Sequence, residues 1–135
     1  MNKQLDKKDC AILAVLTENS RLSWKEVGEK VYLTGQAVGN RVQQLVEQGD
    51  IKRFTIEQHY EQLQFITIFM NSNNFSAFEK HVLQFAEIID FNKITGEGCY
   101  FIKSCFSPDQ LDSFLASIEC YARYRVNHSL KKITY

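Results

Sequence analysis

Three helix-start signals and one helix-stop signal, spread over residues 6–49, constrain this chain more than any other feature it carries. Asp6, Ser23 and Thr34 each stand where a helix places an N-cap, whose side-chain oxygen accepts an amide hydrogen left free in the first turn. Ser23-Trp24-Lys25-Glu26 is a full capping box, because Glu26 can reach back to the cap amide. Each cap is followed by an apolar stripe at helical spacing: Ile12, Leu13 and Leu16, then Trp24, Val27 and Val31, then Val38, Val42, Leu45 and Val46. Asp9 alone breaks the first stripe. Gly49 sits where a helix C-terminus favours a left-handed residue. Ile51-Lys52-Arg53-Phe54-Thr55-Ile56 then alternates apolar and polar, the pattern of a strand. Three helices with a tight turn between the second and third, closed by a strand, predict a winged helix-turn-helix over residues 1–57.

The remaining residues, 58–135, change period. Leu63 to Met70 reads as a strand that is apolar on both faces, and Phe75, Phe78, Val82 and Phe85 mark a helix. Ile88–Thr95 and Cys99–Phe106 are β-rich runs joined by Gly96-Glu97-Gly98, which is hairpin chemistry. Ser107-Pro108-Asp109-Gln110 opens a second helix with Leu111, Phe114, Leu115 and Ile118 on its buried face, and Ala122 to Ile133 alternates again. The order β-α-β-β-α-β predicts a ferredoxin-like domain, so the whole chain is expected to be α+β, with Gln58 to Gln62 as the join.

Charge bears on what such a chain can bind. Sixteen basic residues balance sixteen acidic ones, nine of each in 1–62 and seven of each in 63–135. Affinity for DNA comes largely from phosphate neutralisation, so any positive charge used for it must be local and repeated by a second subunit. The first residues hold no apolar signal run, and no apolar stretch approaches the ~18 residues of a membrane span, so a cytoplasmic protein is expected. Cys10, Cys99, Cys105 and Cys120 form no C-x-x-C pair, which points to buried, reduced thiols and no metal site. No cofactor is implied.

In a helix-turn-helix the second helix of the motif enters the major groove. Opposite Val38, Val42 and Leu45 lie Gln36, Asn40, Gln43 and Glu47; amide side chains can read adenine, while Glu47 would repel phosphate. Thr34 at the helix start, Ser23 and Lys25 before it, Arg41 at the stripe's edge, and Lys52 and Arg53 in the wing are candidate backbone contacts. A merely solvated polar face fits the same residues equally well. In the second half, Gly96, Glu97, Gly98, Cys99 and Tyr100 form the candidate effector site: two glycines expose backbone amides and Glu97 offers a carboxylate to an ammonium group. An ordinary tight hairpin is the competing reading.

Leu5-Asp6-x-x-Asp9-x-x-Ile12-Leu13, Arg21-Leu22-Ser23 and Arg41-Val42-x-x-Leu45-x-x-x-Gly49-x-Ile51 together resemble the start of the Lrp/AsnC (feast/famine) transcriptional regulators. Ile94-Thr95-Gly96-Glu97-Gly98-Cys99-Tyr100-Phe101-Ile102-Lys103 resembles the turn and following strand of that family's ligand-sensing domain. The resemblance implies a sequence-specific regulator that binds palindromic or repeated sites in double-stranded DNA. It also implies a dimer or higher oligomer built through the C-terminal domains, with a small amino acid bound near that turn. Such a dimer suits half-sites about 34 Å apart. The family's turn usually carries an Asp where this chain has Cys99, which leaves Glu97 as the turn's only acid. Two other readings use the same scaffold. A siroheme-decarboxylase-like enzyme would need His81, His128, Arg123 and Arg125 to converge on a pocket, and an adaptor would only join other family members.

Overall fold

A computed structural model describes residues 4–134. The chain divides into two compact units, one reaching to Glu57 and the other starting at Gln58.

In the first unit, α1 spans Lys7–Glu18 and begins where the Asp6 carboxylate accepts the Asp9 amide at 2.8 Å. Helix α2, Trp24–Val31, starts at the Ser23/Glu26 capping box, with Ser23 Oγ accepting the Glu26 amide at 3.1 Å. Helix α3, Gly35–Glu47, starts where Thr34 Oγ1 accepts the Ala37 amide at 3.1 Å, and left-handed Gly49 follows its end. Ile12, Leu16, Val27, Val31, Val38 and Val42 make the core, whereas Trp24 and Val46 stay 40% and 44% exposed at its edge. The tight turn depends on Gly28. A Cβ there would lie 2.3 Å from the Leu33 carbonyl oxygen, so no side chain fits where the turn folds back on α2. The turn also holds Tyr32 in the left-handed region, at φ 60°, where an L side chain is costly.

Residues 51–56 do not form the expected strand. A strand is defined by a paired neighbour, and among the described residues the first unit has no second strand to supply one. Phe54 and Ile56 are accordingly exposed, at 56% and 74%.

The second unit is a four-stranded antiparallel sheet ordered β2-β3-β1-β4, with the two helices crossing one face. Its elements are β1 (Gln64–Met70), α4 (Phe75–Val82), β2 (Ile88–Lys93), β3 (Tyr100–Ser104), α5 (Pro108–Ile118) and β4 (Ala122–His128). This is the ferredoxin-like arrangement read from the β-α-β-β-α-β order. Helix α5 begins with a second capping box, Ser107 with Gln110. Ile66, Ile68, Tyr100 and Ile102 meet Phe78, Val82, Phe114 and Ile118 in the core; burying each large side chain contributes ~1.5–3 kcal/mol. Strand β4 stops at His128, short of the expected Ile133, because its partner β1 begins at Gln64, directly opposite. Leu130 and Ile133 are left exposed.

A buried amide pins β1 to the end of β3 and the link that leads into α5. The Gln64 side-chain oxygen accepts from Ser104 Oγ (2.8 Å) and the Phe106 amide (2.9 Å), and its Nε2 donates to the Phe106 carbonyl at 2.9 Å. None of the four cysteines is fully buried: Cys10 and Cys120 are exposed, Cys99 and Cys105 half-buried, all as free thiols. Cys10 lies on the outer face of α1, and Cys99, Cys105 and Cys120 flank the ends of β3 and α5. Burial still pushes the Cys105 thiol pKa up.

Candidate nucleic-acid interface

Because Val38, Val42 and Leu45 are buried, the opposite face of α3 is fixed outward, and Thr34, Gln36, Asn40 and Gln43 are all exposed on it. Gln43 Nε2 donates to Glu47 Oε1 at 3.1 Å, which ties that amide to the acid beside it. Gln36 and Asn40, one turn apart, therefore present the unencumbered amide edges. The Ser23 hydroxyl accepts the Glu26 amide and donates to Glu26 Oε1 at 3.0 Å, so its local capping role uses it fully. Lys25, Lys52 and Arg53 are exposed.

Arg41 is placed differently from the sequence reading. Its Nη1 donates to both oxygens of Asp6, at 2.8 and 2.7 Å, and to Asp9 Oδ1 at 3.1 Å. The guanidinium hydrogen bond holds the Asp6 carboxyl below the usual carboxylate range, helped by the Asp9 amide, and Asp6 and Asp9 in turn hold Arg41 above its ordinary value. The sequence signal was Asp9 itself, an acid inside an apolar stripe, which calls for a cation across the helix interface.

The other candidate cluster separates. Gly96 and Gly98 adopt φ +101° and +94°, and a Cβ on Gly98 would lie 2.6 Å from Thr67 Cγ2, so the turn lies flat on β1. Glu97 is exposed and stands 3.8 Å from Arg125 Nη1 on β4. Cys99 packs against the core, and its amide donates to the Ile68 carbonyl at 2.7 Å. Tyr100 leaves the turn altogether: it is buried and donates to Glu79 Oε2 at 3.0 Å. Burial, and then that bond, push its pKa up to about 12. Alternation explains the split, since Tyr100 faces the helices opposite Ile68 while Arg125 pairs with Thr67 on the other face.

The residues an enzyme would need do not converge. His81 Nε2 bonds Ser117 Oγ at 2.8 Å between α4 and α5, and Arg123 and Arg125 lie on the sheet face away from the helices. His128 borders a shallow cleft with Glu61, Asp112 and Ser129 that includes none of the other three.

The profile of the AsnC-type helix-turn-helix domain matches residues 5–46. The chain is 32% identical over 136 residues to the HTH-type transcriptional regulator LrpB of Bacillus subtilis, covering 96% of this chain and 91% of that protein. It is 37% identical over 130 residues to LrpA of the same organism, covering 91% and 96%. Among solved structures, B. subtilis LrpC superposes with a TM-score of 0.88 at 25% identity, over 98% of this chain and 99% of that one. A transcriptional regulator of Neisseria meningitidis in complex with L-Met superposes at 0.84 and 24%, covering 98% and 94%.

Proposed function

The chain belongs to the Lrp/AsnC family of HTH-type transcriptional regulators, and on that premise we propose that α3 reads double-stranded DNA through Gln36 and Asn40, with Thr34 at its start on the backbone. The observation that carries this is the exposed amide pair on the face opposite the buried Val38/Val42/Leu45 stripe. Lys25, Lys52 and Arg53 supply phosphate contacts, and with no net charge on the chain they suffice only when a second subunit repeats them. Selection of bound DNA from a random pool tests the reading. A site should emerge, and Asn40→Ala should change its preferred bases at ~1–3 kcal/mol per lost contact. A purified protein that binds the recovered site no better than random DNA at physiological salt sinks the idea.

The second unit gives that dimer a surface. The sheet face away from the helices carries half-buried Phe65 and Phe69 and 38%-exposed Phe101, with Phe65 and Phe101 stacked at 6.1 Å. On the same face Glu97 and Arg125 stand opposed, a carboxylate and a guanidinium that suit the ammonium and carboxylate of an amino acid. A small amino acid bound there, at the glycine turn, is the effector reading. L-Met, present in the Neisseria structure, is the first probe, and its effect on DNA affinity is the measurement. The relatives are regulators, and the separation of His81, His128, Arg123 and Arg125 gives the enzyme reading no support. Among the described residues no helix is long and apolar enough to cross a membrane, which supports a cytoplasmic site of action.

A further inference from the structure

We propose that Arg41, with Asp6 and Asp9, is a positioning clamp for the DNA-reading helix and makes no contact with phosphate. The inference rests on α3 being that helix. One guanidinium nitrogen meets three carboxylate oxygens drawn from the start of α1. Asp6 is held by the backbone as well, since its Oδ1 also accepts the Asp9 amide as the N-cap of α1. Asp9 is the more enclosed acid, with 16% of its side chain exposed against 54% for Asp6 and 31% for Arg41. The apolar contacts of Ile12 and Leu16 with Val38 and Val42 set how close α1 and α3 lie. Such contacts are non-directional and leave rotation and sliding of one helix along the other weakly fixed. Three charge-assisted hydrogen bonds are directional, and they tie the middle of α3 to the first turn of α1. Two carboxylates and one guanidinium also leave the cluster net negative, so it repels a phosphate that approaches Arg41.

The sign of one substitution separates the alternatives. If Arg41 bound phosphate, neutralising Asp9 or Asp6 would release it and strip a repulsive charge, and binding would tighten. If it clamps α3, the same changes loosen the helix and binding weakens. Full-length wild type, Asp9→Asn, Asp6→Asn and Arg41→Met are titrated against a labelled duplex carrying the pool-selected site, at several salt concentrations. Circular dichroism sets the folded concentration. Asn caps as well as Asp, so Asp6→Asn keeps α1 while losing the ion pair. Both Asn variants should bind roughly threefold to tenfold more weakly. Arg41→Met should weaken binding with the salt slope of wild type. An Asn variant that binds as tightly as wild type or tighter overturns the clamp, as does an Arg41→Met slope shallower by ~0.9. Gln36→Ala and Asn40→Ala are run alongside. If neither changes affinity or preference, the recognition-helix reading falls and takes the clamp with it; if they do while the Asn variants bind normally, the clamp alone falls.

Discussion

Two buried polar groups in the second unit make sharp demands on their surroundings. Gln64 has both ends of its amide satisfied by Ser104 and the Phe106 backbone, so shortening it strands a buried N–H and C=O at once. Gln64→Ala should cost about 2–4 kcal/mol, read as a lower urea midpoint at unchanged m-value. Tyr100 is protonated in the fold up to about pH 12, against an ordinary value of 10.0. A raised folded pKa means its contribution is complete below the unfolded value and is lost as pH rises through the folded one. Unfolding free energy measured in urea should therefore drop between about pH 10 and 12, and Tyr100→Phe should remove that part of the drop. Neither group was legible in the sequence. A Gln at the head of an apolar strand and a Tyr beside a glycine turn read as surface or site residues until pairing with distant strands turns them inward.

Local chemistry was legible where it is self-contained. Asp6, Ser23, Thr34 and Ser107 cap the helices they were expected to cap, because a cap needs only the next three residues. The strand expected over residues 51–56 does not form because alternation describes a face, and a strand needs a partner that the described residues of the first unit do not supply. The turn between α2 and α3 held another surprise, since Tyr32 occupies a left-handed position with its side chain 87% exposed. Glycine has no Cβ penalty there, so Tyr32→Gly should raise the stability of the helix-turn-helix by about 1 kcal/mol, measured by thermal or urea unfolding. The candidate site was half legible. Periodicity put Gln36 and Asn40 outward correctly, but it could not see that Arg41 already had partners on α1.

For the molecule as a whole, zero net charge and an aromatic sheet face away from the helices both fit the proposed second copy. Phe101→Glu places a charge opposite Thr67 and beside Phe65 in that face without disturbing the helix-covered core. It should shift sedimentation toward the monomer and weaken DNA binding by well over tenfold, since half the phosphate contacts go with the partner. A Phe101→Glu variant that still sediments as wild type would move the association surface elsewhere.

The strand order also dictates when each half of the protein can come into being on the ribosome. Strand β1 lies in the middle of its sheet, yet its outer neighbour β4 follows the other three strands in the chain, and Gln64 waits for His128. Helices α1, α2 and α3 pack on one another within one short stretch of chain and close early, as local topologies do. The first unit can therefore close while β1 still lacks its outer partner. On the proposed function, a chain whose β4 has not yet paired would be a lone, neutral reader, and it would grip DNA only once that strand is in place.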